Sequence, residues 1–210
     1  METSIRDRTA AVREPRAYIG FLEWCAWACL EQRRVLMLLG AEVWDILTVF
    51  APSVVIPDEA LVCRVAAIRM TGKDTWLSTG DPNHFVIGSA SSVPLPRASS
   101  SVAPNGVEVD ARRCALRHGW LLRPTIAQGD CGPDVMAHNL GLVRAPPTWL
   151  EIRTRIADFL VEHAADASWH VIAEGCQEAN THDAAARSTS YIGVKRVPSC
   201  PSERSLVPSG

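Results

Sequence analysis

Residues 18–39 read YIGFLEWCAWACLEQRRVLMLL. The segment Tyr18–Gln32 is apolar on almost every side and is broken mainly by Glu23 and Glu31. This pattern predicts a helix buried against a sheet rather than a surface helix. The residues that follow, Arg33–Leu39, form a short apolar run typical of a buried strand. A buried helix followed directly by a buried strand predicts helices that cover a β-sheet.

Three further strands are predicted in the first half of the chain. They are Val43–Phe50, Leu61–Ile68 and the short Phe85–Ile87, which follows a turn signal at Gly80-Asp-Pro-Asn83. Together with the strand after the first helix, they form a small central sheet.

Helices are predicted mainly in the second half. A short one, Val135–Leu140, follows the Gly/Asp turn at 129–134. Thr148 and Glu151 form a capping-box pattern before a helix that ends near residue 164, and another helix begins near Ser168. The predicted fold class is therefore α+β, with a small central sheet flanked by helices.

Composition excludes several kinds of protein. The net charge is −2, which does not favour a nucleic-acid partner. Charge-free stretches such as Ile46–Pro57 are about a dozen residues long, short of the roughly 20 apolar residues that a membrane span needs. The polar N-terminus carries no secretory signal, so an intracellular and most simply cytoplasmic protein is expected.

A segment rich in serine and proline separates the chain into two halves. Residues 89–105 contain six serines and three prolines with one charge, which predicts a linker or long loop. The expected organisation is a single domain over 16–194, with one half at 16–88 and the other at 106–194. Flexible ends are expected at 1–15 and 195–210.

Seven cysteines, at positions 25, 29, 63, 114, 131, 176 and 200, include no CxxC pair. Structural zinc sites usually have paired ligands at short spacing, so no metal and no cofactor is expected. Without an export signal the cysteines should be reduced and mostly buried as small hydrophobic residues.

One cysteine stands in a different setting, the segment Gln128-Gly-Asp-Cys131-Gly-Pro-Asp-Val-Met136. Gly132-Pro133 can begin a helix, which would put Cys131 at its positive end, where a thiolate is stabilised. The turn Gln128–Asp130 could direct successive backbone N–H groups at one point, as an oxyanion hole requires. The segment predicts a nucleophilic cysteine; the alternative is a half-buried loop cysteine.

A thiol nucleophile needs a base, and His84 is the best placed of six histidines because it begins the strand Phe85–Ile87. His138 is too close in sequence to face back onto Cys131. The other four are predicted to have solvated, capping or loop positions: His118, His163, His170 and His182.

These segments resemble motifs of the ovarian-tumour (OTU) family of deubiquitinating cysteine proteases. Asn83-His-Phe-Val-Ile-Gly88 is similar to the family's histidine strand, and Gln128-Gly-Asp-Cys131 to its D-G-N/D-C nucleophile turn. The helix Tyr18–Ala28 and the strand after it resemble its W-G-x-x-x-E-x-x-A-x-A helix and following strand. The helix at 148–164 lies where the family has an arginine-containing helix. The resemblance implies a papain-like fold and a ubiquitin or ubiquitin-like partner.

The order of these segments departs from the family. The histidine precedes the cysteine here, which implies a circular permutation in which 89–105 joins the old ends. A fusion of two unrelated pieces is the alternative. The family's usual orienting residues are replaced by Val86 and Gln128. The candidates for the residue that orients the histidine are therefore Asp81, Asn83, Asp110 and Asp130.

The resemblance implies a deubiquitinase that cleaves isopeptide bonds through a thioester, with Cys131 and His84 as its catalytic pair. His118 and Trp120 are expected to line the groove beside Cys131, while Cys114 and Cys176 are expected to be packing residues. One alternative is a catalytically impaired fold that binds ubiquitin or another partner without cleavage. Another is a protease like the SUMO proteases and adenain, which run His, acid, Gln and Asp-Cys-Gly in this linear order.

Overall fold

The computed structural model describes residues 5–71, 75–78, 82–91, 110–126 and 129–180, without the side chains of 6, 7 and 177–180. The linker predicted at 89–105 and the tail at 195–210 lie almost wholly outside the described residues. The elements, in chain order, are α1 (Ile5–Arg13), α2 (Phe21–Leu30), β1 (Arg34–Leu39), β2 (Glu42–Asp45), α3 (Ile46–Phe50), β3 (Val62–Met70), β4 (Trp76–Leu77), β5 (His84–Ala90), α4 (Ala111–Arg117), β6 (Trp120–Arg123), α5 (Cys131–Leu140), α6 (Pro146–Glu162) and α7 (Ala167–Asn180).

The strands form an open mixed sheet in the order β2-β1-β3-β5-β6, with β4 paired to β3. Only β1 and β3 run parallel, and the other pairs are antiparallel. The predicted strands at 33–39 and 85–87 therefore share one sheet, separated by β3. The α+β class and the sheet flanked by helices are confirmed.

Successive side chains of β5 point to opposite faces of the sheet, and the buried residues form one apolar cluster on each face. Phe85 and Ile87 belong to one apolar cluster, while Val86 belongs to a second cluster with Ile68 and Cys114. The first cluster receives residues from α2, α5, α6 and α7, and α4 packs against the second. The site described below lies at the edge of the first cluster.

A carboxylate caps the N-terminus of the buried helix α2. Glu23 Oε2 accepts the backbone N–H of Gly20 at 2.6 Å, and Arg8 Nε donates to Glu23 Oε1 at 2.6 Å. Glu23 has no exposed surface, so this pairing satisfies a charge inside the core. Trp24 and Trp27, which follow it, are fully buried, as the apolar pattern predicted.

The prediction of one strand over Val43–Phe50 was wrong in its second half. The strand ends at Asp45, whose carboxylate accepts the Thr48 N–H at 3.4 Å and begins α3. The N-cap residue lies inside an apolar run, so periodicity alone did not reveal the change from strand to helix.

Two helix starts also differ from expectation. α6 begins at Pro146, because proline suits the first turn, so Thr148 is inside the helix rather than at its cap. The N-terminal segment expected to be flexible instead contains α1, whose Ile5, Thr9 and Val12 are buried. These positions recur at spacings of four and three, so they form one helical face, and α1 packs on α6.

Both halves of the chain contribute to one core. The first cluster contains residues of the first half, such as Trp24 and Phe85, and residues of the second, such as Met136 and Ile156. In the part of the chain that the structure describes, no helix combines the length and apolar character needed to cross a bilayer.

Candidate functional site

Cys131 is the first residue of α5, at the point where this helix meets the start of β5. The backbone N–H of Phe85 donates to Cys131 Sγ at 3.4 Å, and the N–H groups of Gly132 and of Cys131 itself are also directed at the sulfur. A helix N-terminus and a strand backbone thus direct partial positive charge at one sulfur atom. The predicted helix start at Val135 was wrong by one turn, and the predicted position of Cys131 at a helix N-terminus is confirmed.

The sulfur borders a cleft of about 190 Å³. Tyr18 forms part of the wall, and its ring stacks on Phe85 with centroids 5.9 Å apart. The cleft is lined by Arg16, Tyr18, Ile19, Asn83, Phe85, Gly129, Cys131, Gly132 and Pro133. Cys131 is thus 7% exposed and lies at the wall of a cleft.

The turn before Cys131 is tightly packed. Gly129 has φ +82°, and a Cβ added there would lie 2.8 Å from Arg16 Cβ, so this position requires glycine. The Asp130 carboxylate accepts the Arg16 N–H at 3.1 Å. Of the three residues predicted to form an oxyanion hole, Gly129 and Asp130 border the site, and Gln128 lies outside the described residues.

The side chain of Arg153, in α6, binds the turn at 129–130. Its Nε and Nη2 donate to Asp130 Oδ1 at 2.9 and 2.7 Å, and Nη2 also donates to Gly129 O at 3.4 Å. Nη1 donates to Val12 O at 3.2 Å, and Nη2 also donates to Ala17 O at 2.7 Å. The side chain is 1% exposed, so a buried guanidinium joins α1, the 14–19 loop and the cysteine turn.

His84 begins β5, next to the residue that contacts the sulfur. Because Phe85 N is 3.4 Å from Cys131 Sγ, covalent geometry puts the His84 Cα within about 6 Å of the sulfur. The ring of His84 is half-buried, and its Nε2 lies 2.8 Å from Thr125 Oγ1. The structure brings Cys131 and the histidine strand together without a hydrogen bond between the thiol and the imidazole, both of which are described.

Burial shifts both pKa values towards the neutral forms. It raises the pKa of the Cys131 thiol, while the N–H groups of Phe85, Gly132 and Cys131 and the charge of Arg153 oppose the rise. Burial lowers the pKa of His84, and the Asp134 carboxylate opposes that shift. At neutral pH the resting pair is therefore a thiol and a neutral imidazole rather than an ion pair.

The candidates for a residue that orients His84 have other partners. Asn83 accepts the Met70 N–H at 2.8 Å and donates to Met70 O at 3.2 Å, which extends the β3–β5 pairing. Asp110 caps α4 through the Arg112 N–H at 2.8 Å. Asp130 is paired with Arg153, and Asp81 lies outside the described residues.

The expected groove wall of His118 and Trp120 was wrong. Trp120 pairs with Ala90, at the opposite end of β5 from His84, and six residues of strand span about 20 Å. His118 Nε2 lies 2.9 Å from Ala41 O, beside the β1–β2 turn. Sequence proximity to Cys131 suggested both residues, but they lie at the start of β6, at the end of the strand that is remote from the cysteine turn.

The other described cysteines are packed in the core or at its edge. Cys114 lies in the second cluster with its sulfur 3.4 Å from Ser78 Oγ, and Cys176 lies in the first cluster beside Cys25. Among the described side chains, no group of three or more His, Cys, Asp or Glu residues is arranged to hold a metal ion.

Two residues of the site were not singled out from the sequence. Arg153 lies on the arginine-containing helix of the resemblance, but its role depends on carbonyl groups more than 130 residues away. Thr125 follows Pro124 in a loop without a sequence motif, and only the pairing of β5 with β6 brings it to His84.

Comparison with known proteins does not assign the chain to a family. No family model, curated protein or solved structure matches it.

Proposed function

We propose that this protein is a cysteine hydrolase that cleaves isopeptide bonds at the C-terminus of ubiquitin or a ubiquitin-like protein. The observation that carries the proposal is the 3.4 Å contact between Cys131 Sγ and the backbone N–H of Phe85. It joins a cysteine at a helix N-terminus to the strand that begins with His84, beside an open cleft. The resemblance of these two segments to the nucleophile and histidine motifs of the OTU family supplies the substrate class.

The proposed reaction starts from a neutral Cys131 thiol and a neutral His84 imidazole. His84 accepts the proton of the thiol as Cys131 Sγ attacks the carbonyl carbon, so the sulfur becomes nucleophilic only when the base acts. The carbonyl oxygen gains the negative charge, and backbone N–H groups of the turn 129–131 stabilise it. His84 then donates its proton to the leaving lysine amine, and water hydrolyses the thioester to return the free thiol.

The permuted order is compatible with this chemistry because catalysis depends on positions in space. α5 packs on β5 although the two are separated by α4 and β6 in the chain. One core shared by both halves supports a rearranged single domain rather than a fusion of two. Asp130, in the second half, also bonds the backbone of Arg16, in the first.

A binding module that does not cleave is the second candidate. It is favoured by the resting geometry, in which the His84 ring bonds Thr125 rather than the thiol, and by the raised pKa of Cys131. Such a protein would hold a ubiquitin-like C-terminus in the same cleft without forming a thioester.

Labelling with C-terminal electrophiles separates these candidates. Purified protein is incubated with ubiquitin carrying an alkyne electrophile at its C-terminus, and with the matching SUMO probe, and adducts are counted by mass spectrometry. Wild-type protein should form one adduct with the ubiquitin probe, and Cys131→Ala should form none. His84→Ala should label at least about 100-fold more slowly, because the thiol loses its base.

Cys114→Ser is the matched control, because Ser78 can hydrogen-bond the new hydroxyl and the variant should label at the wild-type rate. Tight ubiquitin binding without an adduct would establish the binding module instead. Preference for the SUMO probe would favour the adenain-like alternative, and labelling that survives Cys131→Ala would show that the nucleophile is another thiol.

A further inference from the structure

We infer that Thr125 is the positioning residue of the site, and that its hydroxyl holds His84 in the tautomer whose Nδ1 is free to act as the base. The inference rests on the proposed function and deepens it. The hydroxyl of Thr125 takes the place of the carboxylate or amide that the sequence predicted at Asp81, Asn83, Asp110 or Asp130.

The hydrogen bonds of the hydroxyl define the tautomer. Both contacts of Thr125 Oγ1 are hydrogen bonds at once only when its single proton is donated to Phe85 O, 3.1 Å away, because a carbonyl oxygen can only accept. The same oxygen lies 2.8 Å from His84 Nε2, so it accepts a hydrogen bond from Nε2–H. A neutral imidazole protonated at Nε2 has its lone pair on Nδ1. The base of the reaction is therefore Nδ1.

Strand pairing places Thr125 at this position. Ile87 pairs with Arg123, and the same register continued by two residues sets Thr125 opposite Phe85. Thr125 is thus a continuation of β6 past Pro124, and its hydroxyl replaces a ladder hydrogen bond at the end of the strand.

Two neighbouring groups hold the segment that carries Thr125. On one side, Ile126 N donates to Asp134 Oδ2 at 2.7 Å; on the other, Arg144 Nη2 donates to Pro124 O at 3.3 Å. Arg144 also donates to both oxygens of Asp134, at 2.8 and 2.6 Å, and Asp134 has no exposed surface. Asp134 and Arg144 together fix the backbone on both sides of Thr125. The Asp134–Arg144 ion pair therefore helps to position Thr125, which in turn contacts the His84 ring.

The direct test is the tautomer of His84. Protein with ¹⁵N-labelled histidine is examined by long-range ¹H–¹⁵N correlation at about pH 8, where an ordinary histidine is neutral, and His84 is assigned by its loss in His84→Ala. Wild-type protein should show Nε2–H alone. Thr125→Val, which keeps the shape and removes the hydroxyl, should show a mixture of tautomers. Thr125→Ser should return most of the Nε2–H form.

The second readout is the rate of labelling by the ubiquitin electrophile. Thr125→Val should label about 10- to 100-fold more slowly than wild type, the loss seen when a metal-bound histidine is deprived of its hydrogen-bond partner, and Thr125→Ser should recover most of the rate. Thr154→Val on α6, where the hydroxyl bonds only its own helix at Leu150 O, is the matched control and should change neither readout.

The outcomes separate the positioning role from the enzyme. Nδ1–H in wild-type protein, or an unchanged tautomer in Thr125→Val, would overturn the inference. A shift of tautomer in Thr125→Val but not in Thr154→Val supports it even if no variant labels; in that case the proposed hydrolase fails while the role of Thr125 stands.

Discussion

Replacement of Arg153 by methionine tests whether the buried guanidinium holds the cysteine turn. The side chain is 1% exposed and its partner Asp130 is 13% exposed, so the pair is largely shielded from water. Removing one member of a buried pair costs about 3–5 kcal/mol, because the other charge remains without compensation. The carbonyl oxygens of Val12 and Ala17 also lose donors, so the upper part of that range is expected for Arg153→Met.

The same helix provides a matched control. Arg155 Nη1 lies 2.8 Å from Glu31 Oε1, and the two side chains are 42% and 15% exposed. Arg155→Met leaves a single, partly shielded carboxylate without its partner, so it should cost about 1–2 kcal/mol, less than Arg153→Met. Free energies of unfolding from urea titration, followed by fluorescence of the buried Trp24 and Trp27, measure both variants. If the Arg153→Met and Arg155→Met values differ by less than about 1 kcal/mol, the buried pair contributes little and the reasoning is wrong.

Loss of about 4 kcal/mol could leave Arg153→Met unfolded, since domains are stable by only about 5–15 kcal/mol. Arg153→Lys then serves as the second variant, because it keeps the charge but cannot reach Asp130 and two carbonyl groups at once. It should be destabilised by an intermediate amount. It should also label more slowly at Cys131 than Arg155→Lys does, because the turn at 129–130 loses part of its support.

Two further outcomes follow from backbone conformation and from burial. Gly129→Ala should destabilise the protein by about 1–3 kcal/mol more than Gly141→Ala, because both replace a glycine of positive φ but only the first adds a Cβ against Arg16. Equal unfolding midpoints for these variants in urea would show that the turn adapts. Burial raises the pKa of Cys63 to about 12, so above about pH 9 the unfolded state loses a proton that the folded state keeps, and stability falls as pH rises. The stability difference between wild type and Cys63→Ala should therefore narrow by about 2 kcal/mol between neutral pH and about pH 10.5, and a constant difference in urea titrations would contradict the shift.

Local sequence patterns predicted the fold class and the position of Cys131 at a helix N-terminus. The all-round apolar character of Tyr18–Gln32 predicted a buried helix, and α2 is buried along most of its length. The Gly-Asp-Cys-Gly-Pro order placed Cys131 at a helix N-terminus, because glycine permits the tight turn before it and proline suits the first helical turn after it. Both inferences concern residues within one or two turns of each other, where sequence and geometry are closely linked.

Element boundaries were predicted less well where a single side chain decides them. Asp45 ends a strand and caps α3 within a continuous apolar run, and Pro146 rather than Thr148 begins α6. In both cases the competing signals differ by about one hydrogen bond, roughly 1 kcal/mol, so periodicity could not rank them.

The sequence by itself determined that Cys131 stands at a helix start and that His84 begins a strand. Only the tertiary structure decided what surrounds them: Thr125 meets His84 across 41 residues, and Arg153 meets Ala17 across 136. Such contacts depend on strand register and on helix packing, which arise from the whole core and leave no local pattern at either residue. The burial of Cys131 and His84 also arises from the packing of the whole core. Because burial shifts both pKa values, the neutral state of the thiol and the imidazole could be inferred only from the tertiary structure.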